Sequence, residues 1–242
     1  MFVNVCAKET PFLQGKLTVF QPEKGFRFGI DSVLLANFVE LRKGEVALEV
    51  GACHGIVSFI LALRYPFAKI FALEKEKLYV ECLKKGVDVN AFQDKIFIIS
   101  ADFNYPCFKP NSLDVILANP PYFEVGRGRS SPDKLKELAK KDKSLSIRGL
   151  IQGARALLKT KGRLYLIFTA YRTAELINLL YQHRLTPKVI RFIHSYPGDM
   201  ARFVLVMAQK NAGDETKILP PLFIYKERKG DYTEEVKAWL RG

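Results

Sequence analysis

At 242 residues, 48% of them hydrophobic, the chain has material for one large α/β domain with modest additions rather than for two independent cores. Lys and Arg number 38 against 25 Asp and Glu, and the formal net charge of +13 points to a polyanionic partner. The four cysteines, Cys6, Cys53, Cys82 and Cys107, are scattered without a C-x-x-C pair, which argues against a zinc site, any other metal site of that kind and a disulfide framework, and fits a reducing cytoplasm.

The opening MFVNVCAKET lacks the basic start and apolar core of a secretion signal. The longest apolar stretch, around residues 56–63, is too short to cross a bilayer, so no membrane attachment is expected. Residues 1–44 read as an N-terminal extension ahead of a catalytic-type domain over 45–242. In the extension Leu17, Val19 and Phe20 suggest a strand and residues 22–25 a turn. In FRFGIDSVLLANFVEL, Asp31 stands at an N-cap position ahead of Val33, Leu34, Leu35, Phe38, Val39 and Leu41 at helical spacing. It either only caps or also contacts a small-molecule ligand, with Phe26 and Phe28 beside it as a lid.

Val46–Val50 is the first core strand, and it runs through Glu49, Gly51, Ala52, Cys53, His54 and Gly55 into the helix Ile56–Arg64. A strand, a glycine-bearing turn and a helix in that order let backbone approach a nucleotide-like ligand at the carboxyl edge of a parallel sheet. Residues 69–73 read as a second strand ending in Glu74, near the spacing from the glycine turn expected of an acid that holds ribose hydroxyls. A helix over 75–90 returns the chain, and residues 96–99 form a third strand ending at Ser100, Ala101 and Asp102. That acid either accepts from an adenine amino group, with Phe103 as a ring contact, or caps the loop that follows.

The fourth strand, in LDVILANPPYF, stops at Asn119, Pro120, Pro121 and Tyr122. Each proline fixes its own φ and drives the residue before it toward extended backbone, so the Asn119 side chain and the Pro120 carbonyl sit on a rigid tip. Such a tip suits an amino group conjugated to a ring. Two acceptor oxygens, one from the Asn119 amide and one from the Pro120 backbone, draw the nitrogen lone pair out of conjugation, aim it at an electrophile and stabilise the positive charge that develops. Tyr122 then stacks on the base. Gly51, Glu74, Asp102 and Asn119 all fall at carboxyl ends of successive strands, where open α/β sheets bind ligands.

Beyond Tyr122, residues 124–148 are loop-like and basic. Arg127, Arg129, Lys140 and Lys141 are the positions placed to grip phosphates while a base is extracted, with a merely solvated charged face as the competing account. Helices over 146–158 and 173–182 alternate with strands over 162–168, 188–194 and 202–208, the last two forming an antiparallel hairpin at the sheet edge. The tail ILPPLFIYKERKGDYTEEVKAWL has an extended stretch and a capping box at Asp231 and Glu234 before a short final helix. His54, His183 and His194 stand in no nucleophile or metal pattern and read as structural.

Taken together, Glu49-x-Gly51-x-x-x-Gly55, Glu74, Asp102 and the tetrapeptide Asn119, Pro120, Pro121, Tyr122 resemble the class I S-adenosylmethionine-dependent methyltransferases that act on amino groups. FRFGIDSVLLANF, NPPYF followed by Gly126, and IYKERKGDYTEEV extend the resemblance, nearly end to end, to the bacterial valine-tRNA adenine-N6 methyltransferase family. The resemblance implies a Rossmann-like, mostly parallel seven-stranded sheet with an antiparallel edge hairpin and helices on both faces. It also implies S-adenosylmethionine as donor and the adenosine 3′ to a tRNA anticodon as acceptor. Carried across, Gly51 and Gly55 line the methionine half of the donor, Glu74 its ribose and Asp102 its adenine, while Asn119, Pro120 and Tyr122 take the target base. Two departures stand out: the usual middle glycine is Cys53, which fits if its φ is negative, and the usual downstream Ala-Arg is Ala139-Lys140. Methylation of protein glutamine is disfavoured by the short segment before Glu49 and by the positive charge. DNA-adenine methylation lacks an added recognition domain, ribosomal RNA remains as another acceptor, and a noncatalytic RNA-binding scaffold is opposed by the intact tip.

Overall fold

The computed structural model describes residues 7–23, 25, 27–105, 108–120 and 145–241. The chain begins with an antiparallel hairpin, β1 (Ala7–Phe12) and β2 (Leu17–Pro22), in which Phe12 pairs with Leu17. Only the second of these strands is legible from apolar residues, because β1 is the polar AKETPF and shows its strand character only through its partner. Helix α1 (Ile30–Phe38) leads to β3 (Val46–Val50), α2 (Ile56–Arg64), β4 (Lys69–Glu74) and α3 (Lys77–Val89). Asn90, just past α3, donates through Nδ2 to the Thr18 carbonyl at 2.7 Å and accepts from the Thr18 amide at 2.9 Å, which pins the hairpin to the domain. The chain continues through β5 (Ile96–Ser100), β6 (Leu113–Ala118), α4 (Ile147–Leu157), β7 (Leu158–Thr169), a 3₁₀ turn (Ala170–Arg172) and α5 (Thr173–Gln182). It closes with β8 (Leu185–His194), β9 (Ala201–Lys210), two-residue strands β10 (Lys217–Ile218) and β11 (Leu222–Phe223), and α6 (Glu234–Arg241).

The long strands lie in the order β5-β4-β3-β6-β7-β9-β8, parallel throughout except for β9, which runs antiparallel to both of its neighbours. Expectation and structure differ in one respect: β10 and β11 both add to β8, so the sheet has nine strands rather than seven. The hairpin return strand β9 takes the inner position because Val204, Leu205, Val206 and Ala208 are buried on both faces, as a strand covered on both sides requires. Alternation along the strands builds two cores. Ala47, Val115, Leu117, Ile167 and Leu205 face α1, α2 and α3, while Leu48, Ile116, Leu166, Phe168 and Val204 face α4 and α5.

Two glycines decide how close α2 and α3 approach. A Cβ on Gly55 would stand 2.3 Å from Leu83 Cδ1 and 2.8 Å from Phe59 Cζ, and one on Gly86 would stand 2.5 Å from Phe59 Cζ, so the fully buried Phe59 ring fills the space both glycines leave. Gly55 also has φ +83°, a left-handed conformation that side chains disfavour. Gly55→Ala is therefore expected to lose about 2 kcal/mol or more of folding stability, from overpacking and backbone strain together, read as a shifted urea midpoint with an unchanged slope.

Candidate active site

The parallel register makes the site. Val50 of β3 pairs with Ala118 of β6, so Gly51 and Asn119 leave the sheet side by side at the point where strand order reverses direction. Glu74 ends β4 on the far side of β3, paired with Ser100 of β5. Of the residues expected on the reactive tip, Asn119 and Pro120 are described. Pro121, Tyr122, Arg127, Arg129, Lys140 and Lys141 lie outside the described residues, as do Phe26, Cys6 and Cys107.

Asn119 is held by α1. Its Nδ2 donates to Asp31 Oδ2 at 3.0 Å and approaches Ser32 Oγ at 3.4 Å. A carboxylate only accepts, so the amide atom facing Asp31 is nitrogen, and the carbonyl oxygen is turned the other way. Asp31 is not the helix cap expected of it. Gly29 occupies that position, and Asp31 lies inside the first turn, buried, with Oδ1 accepting from the Ser32 amide at 3.0 Å. The carboxylate folds back so tightly that a Cβ on Gly29 would stand 2.7 Å from Asp31 Oδ1, which is why a side-chain cap has no room there.

Two carboxylates lie beneath the glycine turn. Glu49 is buried; Oε2 accepts from the Ser58 amide at 3.0 Å and bonds the Ser58 hydroxyl. Burial pushes its pKa up to about 8 against the opposing pull of the Ser58 hydrogen bonds, with nearby Glu74 adding repulsion. Glu74, also buried and also raised by burial, accepts from the Glu76 amide at 2.8 Å through Oε1 and from the Cys53 amide at 2.9 Å through Oε2. It thus ties the glycine turn to the end of β4, and each oxygen keeps a second lone pair for a ligand hydroxyl. Above these acids Gly51 is exposed at φ +72°, and a Cβ there would meet nothing within 4 Å, so its backbone borders open space. Gly51 and Ala52 both donate to the Leu73 carbonyl, at 2.9 and 3.0 Å, which holds the turn over β4.

Other sequence expectations are corrected. Cys53 adopts φ +52° rather than a negative value, a conformation that costs roughly 1–2 kcal/mol for a side-chain-bearing residue and is held by its bond to Glu74. Burial, then Glu74, push its thiol well above the ordinary range, so it is a poor nucleophile. Gly55 directs its missing side chain into Phe59 and Leu83, so the absence of a side chain there also serves packing. Phe103 is buried against α4, where a Cβ on Gly153 would stand 2.5 Å from its ring, and belongs to the second core rather than to a ligand. Asp102 does cap its loop: Oδ1 accepts from the Asn104 amide and side chain, both at 2.9 Å. Its Oδ2 has no partner among the described residues. Ser58 and Ser32 were missed, although a lone serine inside the apolar helix IVSFILALR is the kind of signal that marks a buried polar contact. Among the described residues no His, Cys, Asp and Glu gather as a metal site, and no helix is long and apolar enough to cross a membrane.

The family model described as methyltransferase small domain matches residues 27–186. Among curated relatives, a tRNA1(Val) (adenine(37)-N6)-methyltransferase of Bacteroides thetaiotaomicron is 33% identical over 63% of this chain and 64% of its own length. Proteins of the same name from a Flavobacteriaceae bacterium, 30% identical over 73% and 76%, and from Flavobacterium psychrophilum, 24% identical over 94% and 96%, match as well. Among solved structures, a predicted O-methyltransferase from Agrobacterium tumefaciens shares the fold with a TM-score of 0.71 at 23% identity, over 88% of this chain and 97% of that one.

A carboxyl group whose folded pKa lies above its unfolded value holds its proton longer in the native state. Its contribution is therefore complete below the ordinary 4.5 and is lost as pH rises toward about 8. Over that window Glu49→Gln is expected to give a shallower decline of ligand-free stability with pH than the parent, measured by thermal midpoints across a buffer series; parallel curves would show that Glu49 is ionised throughout.

Proposed function

The chain belongs to the methyltransferase small domain family, and we propose that it transfers a methyl group from S-adenosylmethionine to the exocyclic N6 of an adenosine in tRNA, the one 3′ to the anticodon of a valine tRNA. The observation that carries this reading is the orientation of Asn119: its amide nitrogen is committed to Asp31, so its oxygen is the end presented as acceptor. The names of the relatives and the net charge of +13 support a tRNA acceptor, which in turn implies a cytoplasmic location.

The residues fit the donor. Buried Glu49 and Glu74 supply carboxyl oxygens as hydroxyl acceptors, and exposed, side-chain-free Gly51 leaves backbone room beside them. When bound, S-adenosylmethionine supplies an electrophilic methyl carbon next to a positive sulfur. Glu49 and Gly51 would hold its methionine half, Glu74 its ribose hydroxyls and Asp102, through the Oδ2 that has no partner among the described residues, its adenine amine. A cationic ligand beside Glu49 favours the ionised carboxylate, so binding draws off the proton that burial retains.

At the acceptor side, Asn119 Oδ1 and the Pro120 carbonyl each take one N–H of the target amine. Acceptors held by the fold need no reorganisation as charge builds on nitrogen. The surplus proton leaves after transfer, and no poised histidine is required.

Incubating the chain with labelled donor and unmodified total tRNA should yield labelled N6-methyladenosine on nucleoside analysis; label confined to protein glutamine or to another base would overturn the acceptor assignment. Asn119→Ala is expected to lower kcat by about 10² or more with donor affinity retained, the loss seen when one preorganised group at a charge-developing centre is removed. Asp31→Asn lets the Asn119 amide turn over, and kcat should fall by roughly tenfold or more in single-turnover measurements while the thermal midpoint stays close to the parent.

A further inference from the structure

A groove of about 380 Å³ opens beside the reaction centre, lined in part by Arg27, Asp31, Ser195, Arg202, Phe203 and Tyr225. Strand order sets its place. Glu49 and Glu74 lie on β3 and β4, to one side of β6, whereas Ser195 follows β8 and Arg202 and Phe203 lie on β9, to the other side and beyond β7. Asp31 belongs to both regions, since it lines the groove and accepts from Asn119 through Oδ2. A base at Asn119 therefore has the donor site on one flank and this groove on the other.

The lining is suited to a phosphate-linked ring. Arg27 and Arg202 are exposed, and neither has a hydrogen-bond or ion-pair partner among the described residues. Elsewhere Arg163, Arg172 and Arg191 are each paired with a glutamate, Glu45, Glu175 and Glu235 respectively. Asp31 is the one carboxylate in the lining, and both of its oxygens already accept hydrogen bonds, from the Ser32 amide and from Asn119. The groove thus has a net positive wall. Tyr225 is held with its ring stacked on Tyr232, centroids 5.0 Å apart and planes 16° from parallel, and Phe203 adds a second aromatic surface. The volume is near the low end of the roughly 300–1,000 Å³ of small-ligand sites, room for one nucleotide. On the same rim, at the carboxyl ends of β7 and β8, Tyr171 is 77% exposed and Met200 84%, so further strand can be carried outward over apolar side chains.

We propose that this groove receives a ribonucleotide flanking the target adenosine, its phosphate between Arg27 and Arg202 and its base against Tyr225 and Phe203. The inference rests on the RNA acceptor proposed above and assigns the surface that holds the strand while the target base is turned into the site.

The test compares the full chain with its Arg27→Ala/Arg202→Ala double variant for binding of unmodified tRNA over a salt series, with S-adenosylhomocysteine affinity and thermal midpoint measured alongside. The expected result is a tRNA Kd weaker by roughly tenfold or more and a log–log salt slope shallower by about one, because the one phosphate held between the two arginines is released and each phosphate contact contributes about one, with cofactor affinity and midpoint as in the parent. Tyr225→Leu should weaken tRNA binding while Tyr225→Phe keeps it. An unchanged Kd and slope in the double variant, while the parent chain labels tRNA, would overturn the groove assignment alone. Absence of label in tRNA would overturn the acceptor reading and the groove with it.

Discussion

An amide facing a carboxylate can meet it in only one orientation, and much of this site's chemistry depends on that restriction. Asp31, in the first turn of α1, accepts the Asn119 nitrogen and so decides which end of the amide is offered as an acceptor. The contact joins residues 88 positions apart, from a helix ahead of the glycine turn and from the end of the strand beyond it. Burial of Asp31 limits competition from water, and the second oxygen of Asp31 is tied to its own helix turn. The N-terminal segment thereby positions Asn119 as well as packing against α2.

The donor side uses the same physics with the opposite emphasis. Burying Glu49 and Glu74 is costly, and their hydrogen bonds to Ser58, Cys53 and Glu76 offset only part of the loss of water. The imbalance appears as raised pKa values, which is the condition in which a cationic ligand has most to contribute. Backbone strain belongs to this balance too: Cys53 sits at positive φ, in a conformation its bond to Glu74 helps to hold. Carboxylates on β3 and β4, Asn119 after β6 and the arginine-lined groove toward β9 follow one another across the sheet, in the order the proposed donor, acceptor and strand sites require.

Much was legible in the chain itself. Residues such as Val46–Val50 and Thr173–Gln182 announce a strand and a helix by periodicity alone, and the acids at the strand ends follow from where apolar runs stop. The diproline after Asn119 identifies the reactive tip because proline restricts backbone whatever surrounds it. What could not be read was direction. A glycine in a turn looks the same whether it borders open space, as Gly51 does, or admits Phe59, as Gly55 does. Phe103 after a strand looks like a ligand contact until α4 covers it, and Asp31 looks like a cap until Gly29 takes that place.

The sequence by itself determined the alternation of strands and helices, the family resemblance and the residues whose chemistry suits methyl transfer to an amine, because these depend on local pattern and side-chain type. Tertiary structure decided which way Asn119 faces, which glycine borders open space, that β9 lies inside β8, and that Arg27 and Arg202 line one groove with Asp31. Each of those outcomes depends on how segments far apart in the chain are packed together, which no local pattern encodes.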